Sequence, residues 1–356
     1  MAYSHNAPFH ADVVGSYLRP SELKAVEDRL ITELVAKQKA AGLHVITDGE
    51  FRRGWWHFDF MWGFNGVDHA AAAHRVAFHD EVTPADTATV TGKISGENHP
   101  FVEHFKFVKQ FEDENTVARQ TMPSPAQTRF VLTDNASAYP YDEFYGNDDE
   151  LTDDIVAAYR RVIADLYAAG CRNVQFDDCT WTRLCDRSVR ERLGWSDEDA
   201  LRLQQENLDV INAVIADQPD DLVITTHVCR GNFHSTWLSS GGYAPVSAKL
   251  FGEEHVDAYY LEFDDDRSGD FAPLAEVSGD KKVVLGLITS KKPDLEDPET
   301  IKARIREASQ YVPLDLLCLS TQCGFASTEE GNKLTEDQQW AKIALVQSVA
   351  KDVWGD

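Results

Sequence analysis

The stretch Leu222-Val-Ile-Thr-Thr-His-Val-Cys229 decides the fold class. It begins as a short apolar, β-branched run and ends on two side chains that can bind a metal, His227 and Cys229. Such runs are typical of strands that are covered on both faces, as in a parallel sheet. Seven further runs share this character and bring the candidate strands to eight. They are Asp12–Gly15, Val45–Asp48, Val117–Met122, Asn173–Asp177, Ala258–Phe263, Val283–Ile288 and Leu316–Thr321.

Helical patterns separate these runs, and two of them end just before a glycine, Gly42 or Gly170. Strands that alternate with helices indicate an α/β protein with a parallel sheet. Eight such units predict a closed (β/α)8 TIM barrel, whereas five or six would favour an open doubly wound sheet. The clearest helical patterns are Ser21–Ala41, Thr152–Ala169, Ser196–Ala216, Pro298–Tyr311 and Thr335–Val353.

The whole chain, residues 1–356, is predicted to form a single barrel domain. Residues 51–115 are too many for one loop and one helix, and the segment Thr87–Ile94 alternates like a hairpin strand. We therefore expect an insertion after strand two. Residues 123–149 are predicted to form a long loop over one barrel mouth.

Charge excludes several classes of partner. The chain has 34 Lys and Arg against 60 Asp and Glu, a formal net charge of −26, which argues against nucleic acid or an anionic membrane as a partner. No apolar run approaches the roughly 18 residues of a membrane helix. The first residues, Met1–Val14, lack the pattern of a secretion signal, so a cytoplasmic location is expected. In that reducing compartment the six cysteines are more often buried, catalytic or metal-bound than disulfide-bonded.

Candidate site residues gather at the predicted strand ends, where barrel enzymes place their active sites. His227 and Cys229 point the same way because residues i and i+2 of a strand share a face. Such a pair alone is more often a buried His and Cys than a site. Cys323 and Glu262, at the ends of two other strands, complete a set that suits Zn²⁺. The remaining cysteines are interpreted as small core or helix residues: Cys171, Cys179, Cys185 and Cys318.

Six ordered motifs resemble the catalytic C-terminal barrel of the cobalamin-independent methionine synthases. The resemblance covers about residues 10 to 350, and each motif falls at a predicted strand end. The aromatic stretch Trp55–Phe60 is shared with single-barrel bacterial homologues. The motifs are Asp12–Pro20, Thr47–Arg53, Val174–Asp177, Thr226–Cys229, Leu261–Phe263 and Gln322–Gly324.

The resemblance implies a fold, a metal and a thiol substrate. It implies that zinc binds the four residues of the Cys, Cys, His and carboxylate set and that the sulfur of a thiol, homocysteine in many members, joins the metal. The homocysteine carboxylate is then expected at Gly15 and Ser16, and the ammonium at Glu50 and Asp177. An alternative interpretation pairs these two carboxylates with a barrel arginine such as Arg52 or Arg53.

The methyl donor is less well determined. The synthases carry an Asp-x-His pair after strand seven that can protonate a leaving amine, whereas this chain reads Thr289-Ser-Lys-Lys-Pro, with Lys291 near the His position. The sequence also gives no sign of the second barrel that is expected to help hold a polyglutamylated folate. The prediction is methyl transfer to homocysteine from a folate or from an activated donor, such as a methylated corrinoid or a sulfonium. Trp55 and Trp56 are candidate walls of the substrate pocket.

Two other functions remain open. An epoxide-to-thiol transferase of the coenzyme M type resembles the same zinc barrel, but a sulfonate would need Arg or Lys where Glu50 and Asp177 stand. A non-catalytic zinc-binding protein would use the same ligands without a substrate pocket. Metal-free barrels of the uroporphyrinogen decarboxylase type have no need for the His and Cys set. Whether the chain forms a homo-oligomer is open as well.

Overall fold

The computed structural model describes residues 7–20, 23–72, 75–133 and 141–355 and has an α/β fold. Its strands are β1 (Val45–Ile46), β2 (Asn65–Ala71), β3 (Asp86–Ser95), β4 (Val117–Ala118), β5 (Gln120–Pro123), β6 (Asn173–Asp178), β7 (Val223–Val228), β8 (Ala258–Glu262), β9 (Lys282–Ile288) and β10 (Leu317–Thr321). Its α-helices are α1 (Leu23–Ala40), α2 (Phe58–Met61), α3 (Pro100–Lys109), α4 (Pro125–Thr133), α5 (Asp148–Ala168), α6 (Thr180–Cys185), α7 (Arg187–Leu193), α8 (Asp197–Ile215), α9 (Ser247–Glu253), α10 (Pro298–Ala308) and α11 (Glu336–Trp354). Short 3-10 turns lie at Tyr141–Glu143, Asp266–Ser268, Ala272–Glu276 and Leu314–Leu316.

A six-stranded parallel sheet, in the spatial order β5 to β10, forms the centre of the molecule. Each strand lies beside the next one in the chain, and the strands are buried along most of their length, which confirms the predicted α/β class. The run predicted at Val117–Met122 is divided at Arg119 between two sheets. β4 pairs with β1 in parallel, and β5 joins the six-stranded sheet.

The prediction of a strand over Asp12–Gly15 is wrong. Only Ala11 makes a bridge, to Leu319 of β10, and the described residues form no continuous eight-stranded ladder. The segment lies between β10 and β1 but does not pair with them as a strand. Its backbone carbonyl groups accept hydrogen bonds from side chains instead of from the backbone of a neighbouring strand. The donors are Arg119 to the Val13 carbonyl (2.8 Å), Gln175 to Val14 (2.7 Å) and Thr47 to Gly15 (2.7 Å).

Residues 51–115 contain α2, the antiparallel hairpin of β2 and β3, and α3. The segment Thr87–Ile94 lies within β3. This part of the chain joins the end of the main sheet through short backbone contacts, because Trp55 bridges Thr328 and the Trp56 N–H donates to the Ser327 carbonyl at 2.9 Å. The assignment of the whole chain to one domain stays a prediction.

The prediction of a loop over residues 123–149 is wrong in its first half, where α4 lies. Ser124 caps this helix, since its Oγ accepts from the Gln127 N–H at 2.9 Å, and Pro125 occupies the first turn, where its missing N–H costs nothing. Residues 134–140 lie outside the described residues. The following helix, α5, starts at Asp148 instead of Thr152 because Asn147 caps it.

Helix starts elsewhere follow the capping residues. Ser196 and Thr335 each form a capping box at the start of α8 and α11. The predicted pattern Ser21–Ala41 corresponds to α1, and its first two residues lie outside the described ranges. None of the described helices combines the length and the hydropathy that a membrane crossing requires.

A buried ion pair anchors the irregular first segment to the sheet. The Nη1 of Arg119 lies 3.1 Å from Asp12 Oδ1, and its Nη2 donates to the Tyr260 hydroxyl at 2.5 Å. Both charged side chains are fully buried. Asp12 in turn accepts from the Phe9 and Val13 backbone N–H groups. One arginine therefore connects the first segment, β4 and β8.

Replacing Arg119 with Met is expected to destabilise the fold by about 3–5 kcal/mol, because it leaves the Asp12 carboxylate buried without its partner. Urea unfolding followed by circular dichroism measures the change. Arg187→Met, which removes an exposed pair with Glu191, is the matched control and should leave the unfolding midpoint unchanged. Equal midpoints for the two variants would contradict the anchoring role of Arg119.

Candidate metal and substrate site

Four side chains with metal-binding groups converge beyond the carboxyl ends of β7, β8 and β10. Their ligand atoms all lie within 4.8 Å of one another, and all four residues are buried. The two cysteine sulfurs are 3.8 Å apart. The structure thus brings together the set that the sequence singled out: His227, Cys229, Glu262 and Cys323.

Close packing of the strand ends makes this convergence possible. The Cys229 N–H donates to the Asp178 carbonyl at 2.7 Å, which continues the pairing of β6 and β7 past the last strand residue. On the other side, β9 carries Gly286 beside Glu262. A Cβ at Gly286 would lie 2.6 Å from the Gln322 Cα, so only glycine allows the chain before Cys323 to approach this closely.

Asp177 orients the His227 ring. Asp177 Oδ1 lies 3.1 Å from His227 Nδ1 and also accepts from Gln175 Nε2 at 2.9 Å. Burial by itself would lower the pKa of His227, but the hydrogen bond to Asp177 and the neighbouring Cys323 and Glu262 raise it to about 9. A carboxylate that holds one ring nitrogen leaves the other nitrogen of the imidazole to act as a ligand.

Glu262 offers one carboxylate oxygen to the cluster. Its Oε1 accepts from the Arg230 N–H at 2.7 Å, whereas its Oε2 is buried and has no hydrogen-bond partner among the described residues. The nearest cation is Lys291, whose Nζ lies 3.8 Å from Oε2. An unpartnered anionic oxygen beside two thiols and an imidazole fits a bound zinc ion, which would satisfy it.

Lys291, the residue near the position of the family's proton-transferring His, is not among the described residues that line the cavity. Its ammonium group is buried and makes no hydrogen bond within the described part of the chain. Burial lowers the pKa of Lys291, but Glu262 and Asp264 outweigh that effect and raise it above its usual value. A raised pKa makes this ammonium a weaker acid.

Cys179 is a site residue that sequence reasoning missed. The sequence pattern favours a core or helix cysteine at this position, whereas in the structure Cys179 packs in one cluster with Cys229 and Cys323 and lines the same cavity. A hydrogen bond with Cys179, together with burial, raises the pKa of the Cys229 thiol, while Cys323 opposes the rise. Its position directly after Asp178, at the end of β6, was the signal that could have placed it on this rim.

A cavity of ≈ 100 Å³ opens onto the cysteine cluster. Trp55 and Trp56, which the sequence named as candidate walls, both line it, and Trp56 also packs against the three cysteines. The wall thus combines residues of the insertion with residues of the strand ends. Other lining residues relevant to function are Ser16, Glu50, Asp177, His227 and Gly324.

Glu50 pairs with a barrel arginine through one of its two oxygens, and its role in substrate binding stays a prediction. One oxygen, Oε1, lies 3.1 Å from Arg53 Nη1 and accepts from the Thr121 hydroxyl at 2.9 Å. The other oxygen, Oε2, is buried without a hydrogen-bond partner among the described residues, and burial raises the pKa of this carboxyl while Arg53 opposes the rise. Arg52 instead pairs with acidic residues of α1. Glu50 therefore keeps one oxygen for a ligand.

The turn at Gly15 and Ser16 also lies at the cavity. Gly15 has a φ of 138°, and a Cβ there would lie 2.9 Å from Thr121 Cγ2. The Ser16 hydroxyl accepts from the Ala326 N–H at 3.3 Å and lines the cavity. A Cβ at residue 324 would clash with this hydroxyl. The chain at Gly324 can therefore pack against the turn at Ser16 only because residue 324 is a glycine.

The fold and the site define an α/β protein that carries a buried cluster of zinc-type ligands at the carboxyl ends of its parallel strands. Comparison of sequences makes the class specific. Residues 137–350, more than half of the chain, match the family described as the catalytic domain of cobalamin-independent synthase, and the chain belongs to that family.

Relatives extend the likeness over the whole chain. The uncharacterized protein YxjH of Bacillus subtilis (strain 168) is 44% identical over 366 residues, covering 98% of this chain and 95% of the relative. A methionine synthase of Saccharolobus solfataricus is 23% identical over 88% of this chain and 86% of its own length. The crystal structure of a candidate vitamin-B12-independent methionine synthase from Listeria monocytogenes has a TM-score of 0.77 and 38% identity, covering 98% of this chain and 99% of that one.

Proposed function

We propose that the protein is a zinc-dependent methyltransferase that converts homocysteine to methionine. The observation that carries this proposal is the buried cluster of His227, Cys229, Glu262 and Cys323, which has one unpartnered carboxylate oxygen among the described residues and opens onto a cavity. Membership of the cobalamin-independent synthase family supports the same reaction.

The ligand set would hold zinc through two thiolates, one imidazole and one carboxylate. Bound there, zinc would lower the pKa of a substrate thiol and keep its sulfur as a nucleophilic thiolate. The formal charges of the ion, the two thiolates and the carboxylate sum to −1. The buried ammonium of Lys291, 3.8 Å from Glu262, brings the sum to zero and compensates a charge that is costly to bury.

The chain's own groups would position the amino acid. The free Oε2 of Glu50 is suited to accept from the substrate ammonium, and Asp177 contributes a second carboxylate at the cavity wall. The Ser16 hydroxyl lies at the same cavity and suits the substrate carboxylate. These contacts would aim the substrate sulfur toward the cysteine cluster and hold it there for in-line attack.

The metal assignment predicts one zinc ion per chain. His227→Ala, Cys229→Ser and Cys323→Ser should each lose most of it, because the four ligands come from the ends of three separate strands and can meet only in the folded site. Glu262→Gln should lose less, since water or substrate can replace one oxygen. Metal analysis by mass spectrometry measures the content, with Cys171→Ala, a buried cysteine outside the cluster, as the control. Full zinc in Cys323→Ser would eliminate the proposed site.

The substrate assignment predicts that Glu50→Gln and Asp177→Asn weaken homocysteine binding by about 2–5 kcal/mol, the cost of breaking a buried charge pair. Zinc should stay bound, since the amide oxygen that Asp177→Asn introduces can still accept from the imidazole. Titration of the cobalt-substituted protein with homocysteine, followed by its absorption spectrum, gives the affinity. Glu191→Gln, on the exposed surface, is the control.

The comparison thiol for that titration is 4-mercaptobutyrate, which lacks the amine. Its affinity should be nearly the same for the wild type and the two variants. Normal homocysteine binding by both variants would refute the amino-acid assignment. A gain in binding of the amine-free thiol would instead favour the epoxide-to-thiol transferase.

The prediction about the methyl donor follows from the absence of the Asp-x-His pair, which can protonate the leaving amine in the synthases. The tertiary N5 of methyltetrahydrofolate leaves poorly unless it is protonated, and Lys291, with its raised pKa, is a weak acid. We therefore expect methionine formation with an activated donor to be at least about tenfold faster than with methyltetrahydrofolate monoglutamate, a barrier difference of about 1.4 kcal/mol. Parallel assays of methionine formation measure both rates. Fast turnover with the folate would refute this expectation.

A further inference from the structure

We infer that the methyl donor is an onium compound, a sulfonium or quaternary ammonium ion, which binds in an aromatic and acidic chamber over the cysteine cluster. The inference rests on the proposed methyl transfer to a thiol and names the class of the second substrate. Two observations support it: the wall of the cavity is rich in aromatic rings, and the segment after β9 lacks the acid that a poorer leaving group would need.

Aromatic rings form the wall nearest the sulfurs. Trp56 packs against the cluster of Cys179, Cys229 and Cys323. His57 stacks on Trp56 with ring centroids 4.4 Å apart, and Phe58 stacks on His57 at 3.8 Å. All three rings line the cavity. Rings of this kind, tryptophan above all, attract a sulfonium or quaternary ammonium group through their electron-rich faces.

Two phenylalanines add to this wall from other elements. Phe78, from the insertion, lies 5.5 Å from Phe233, which follows β7, and both line the cavity. Gly231 makes room for them, because a Cβ there would lie 3.0 Å from Phe78 Cε1. The aromatic wall therefore contains rings from the insertion and from the chain that follows β7.

The wall carries few charges besides Glu50 and Asp177, the two carboxylates that are proposed to bind the substrate ammonium. Among the described residues, the lining carries three carboxylates, Glu50, Asp86 and Asp177, and one guanidinium, Arg183, which stacks over the Phe130 ring at 4.1 Å. Burial and Arg183 lower the pKa of His57 to about 3, so this ring is a neutral aromatic surface at physiological pH. With Glu50 and Asp177 occupied by the substrate ammonium, Asp86 is the carboxylate among the described lining residues that remains to attract the positive charge of an onium donor, and the neutral His57 ring does not repel it.

A short strap, residues 76–83, contributes Val76, Phe78 and Thr83 to the cavity wall. Ala77 bridges Val82, which makes the strap a small hairpin. Its tip is fixed by Glu81, which lies 2.8 Å from Lys333 Nζ and 3.1 Å from His234 Nδ1. These contacts hold Phe78, a ring of the aromatic wall, in place beside the cavity.

The chemistry of an onium donor also matches the groups that are present. A lone pair on the substrate thiolate attacks the methyl carbon and forms a carbon–sulfur bond. The bond between that carbon and the positively charged sulfur or nitrogen breaks, and its electrons stay with the leaving group. The leaving group departs as a neutral thioether or tertiary amine, so no proton and no oxidant are required. This reaction therefore needs no acid from the Thr289–Pro293 segment, which lacks an Asp-x-His pair.

Binding of a cation and of its neutral isostere tests the chamber without any thiol. Calorimetry of the zinc-loaded protein with choline and with 3,3-dimethylbutan-1-ol should show at least about tenfold tighter binding of choline, because only choline gains cation–π attraction. Trp56→Leu should remove that preference, and Trp56→Phe should retain part of it. Trp354→Leu, on the C-terminal helix, is the control and should keep it. Equal affinities of the wild type for the two probes would overturn the inference.

Methyl transfer is measured on the same protein. With homocysteine and isotope-labelled trimethylsulfonium, labelled methionine should form at least about tenfold faster than with methyltetrahydrofolate, and Trp56→Leu should slow the sulfonium reaction. Homocysteine that changes the cobalt spectrum while no onium compound binds or reacts would overturn this inference and leave the proposed function intact. A cobalt spectrum that homocysteine does not change would overturn the proposed function itself.

Discussion

Two thiols, an imidazole and a carboxylate, all on buried residues, are held within 4.8 Å of one another, and the surrounding structure depends on this constraint. Burying four such groups is costly unless each has a partner. Backbone N–H groups of Arg230 and Gly231 reach Glu262 and the Cys229 sulfur, and Asp177 reaches His227. Glu262 Oε2 has no such partner among the residues that the structure describes and is left for something else to satisfy. A metal ion is the partner that this arrangement suits best.

The parallel sheet explains how distant residues meet. The strands β6 to β10 all end at one edge, so residues almost a hundred positions apart, such as Cys229 and Cys323, come within 3.8 Å. This part was predictable, because strands buried on both faces read as continuous apolar runs and their polar endings are easily recognised. The ligand set followed from the i, i+2 rule and from matching strand ends.

Other features depend on contacts that periodicity does not encode. The segment Asp12–Gly15 is apolar like a strand, but it is bound by side chains that come from three other elements. The helix α4 is short and starts at a serine and a proline, which also read as loop residues. Two further features arise only from tertiary packing: the hydrogen bond between Asp177 and His227, and the position of Cys179 beside the sulfurs of the other two cysteines. Residues of the insertion reach the site because Trp55 and Trp56 pair with the chain after β10.

In the proposed function, the cluster of His227, Cys229, Glu262 and Cys323 binds zinc, and the sulfur of the substrate joins the metal. X-ray absorption at the zinc edge of the purified protein tests it most directly, since the fine structure counts the sulfur ligands. Two sulfurs, one imidazole nitrogen and one oxygen are expected around the zinc without substrate, and three sulfurs are expected after homocysteine is added. Zinc without sulfur ligands, or a sulfur count that homocysteine leaves at two, would contradict it.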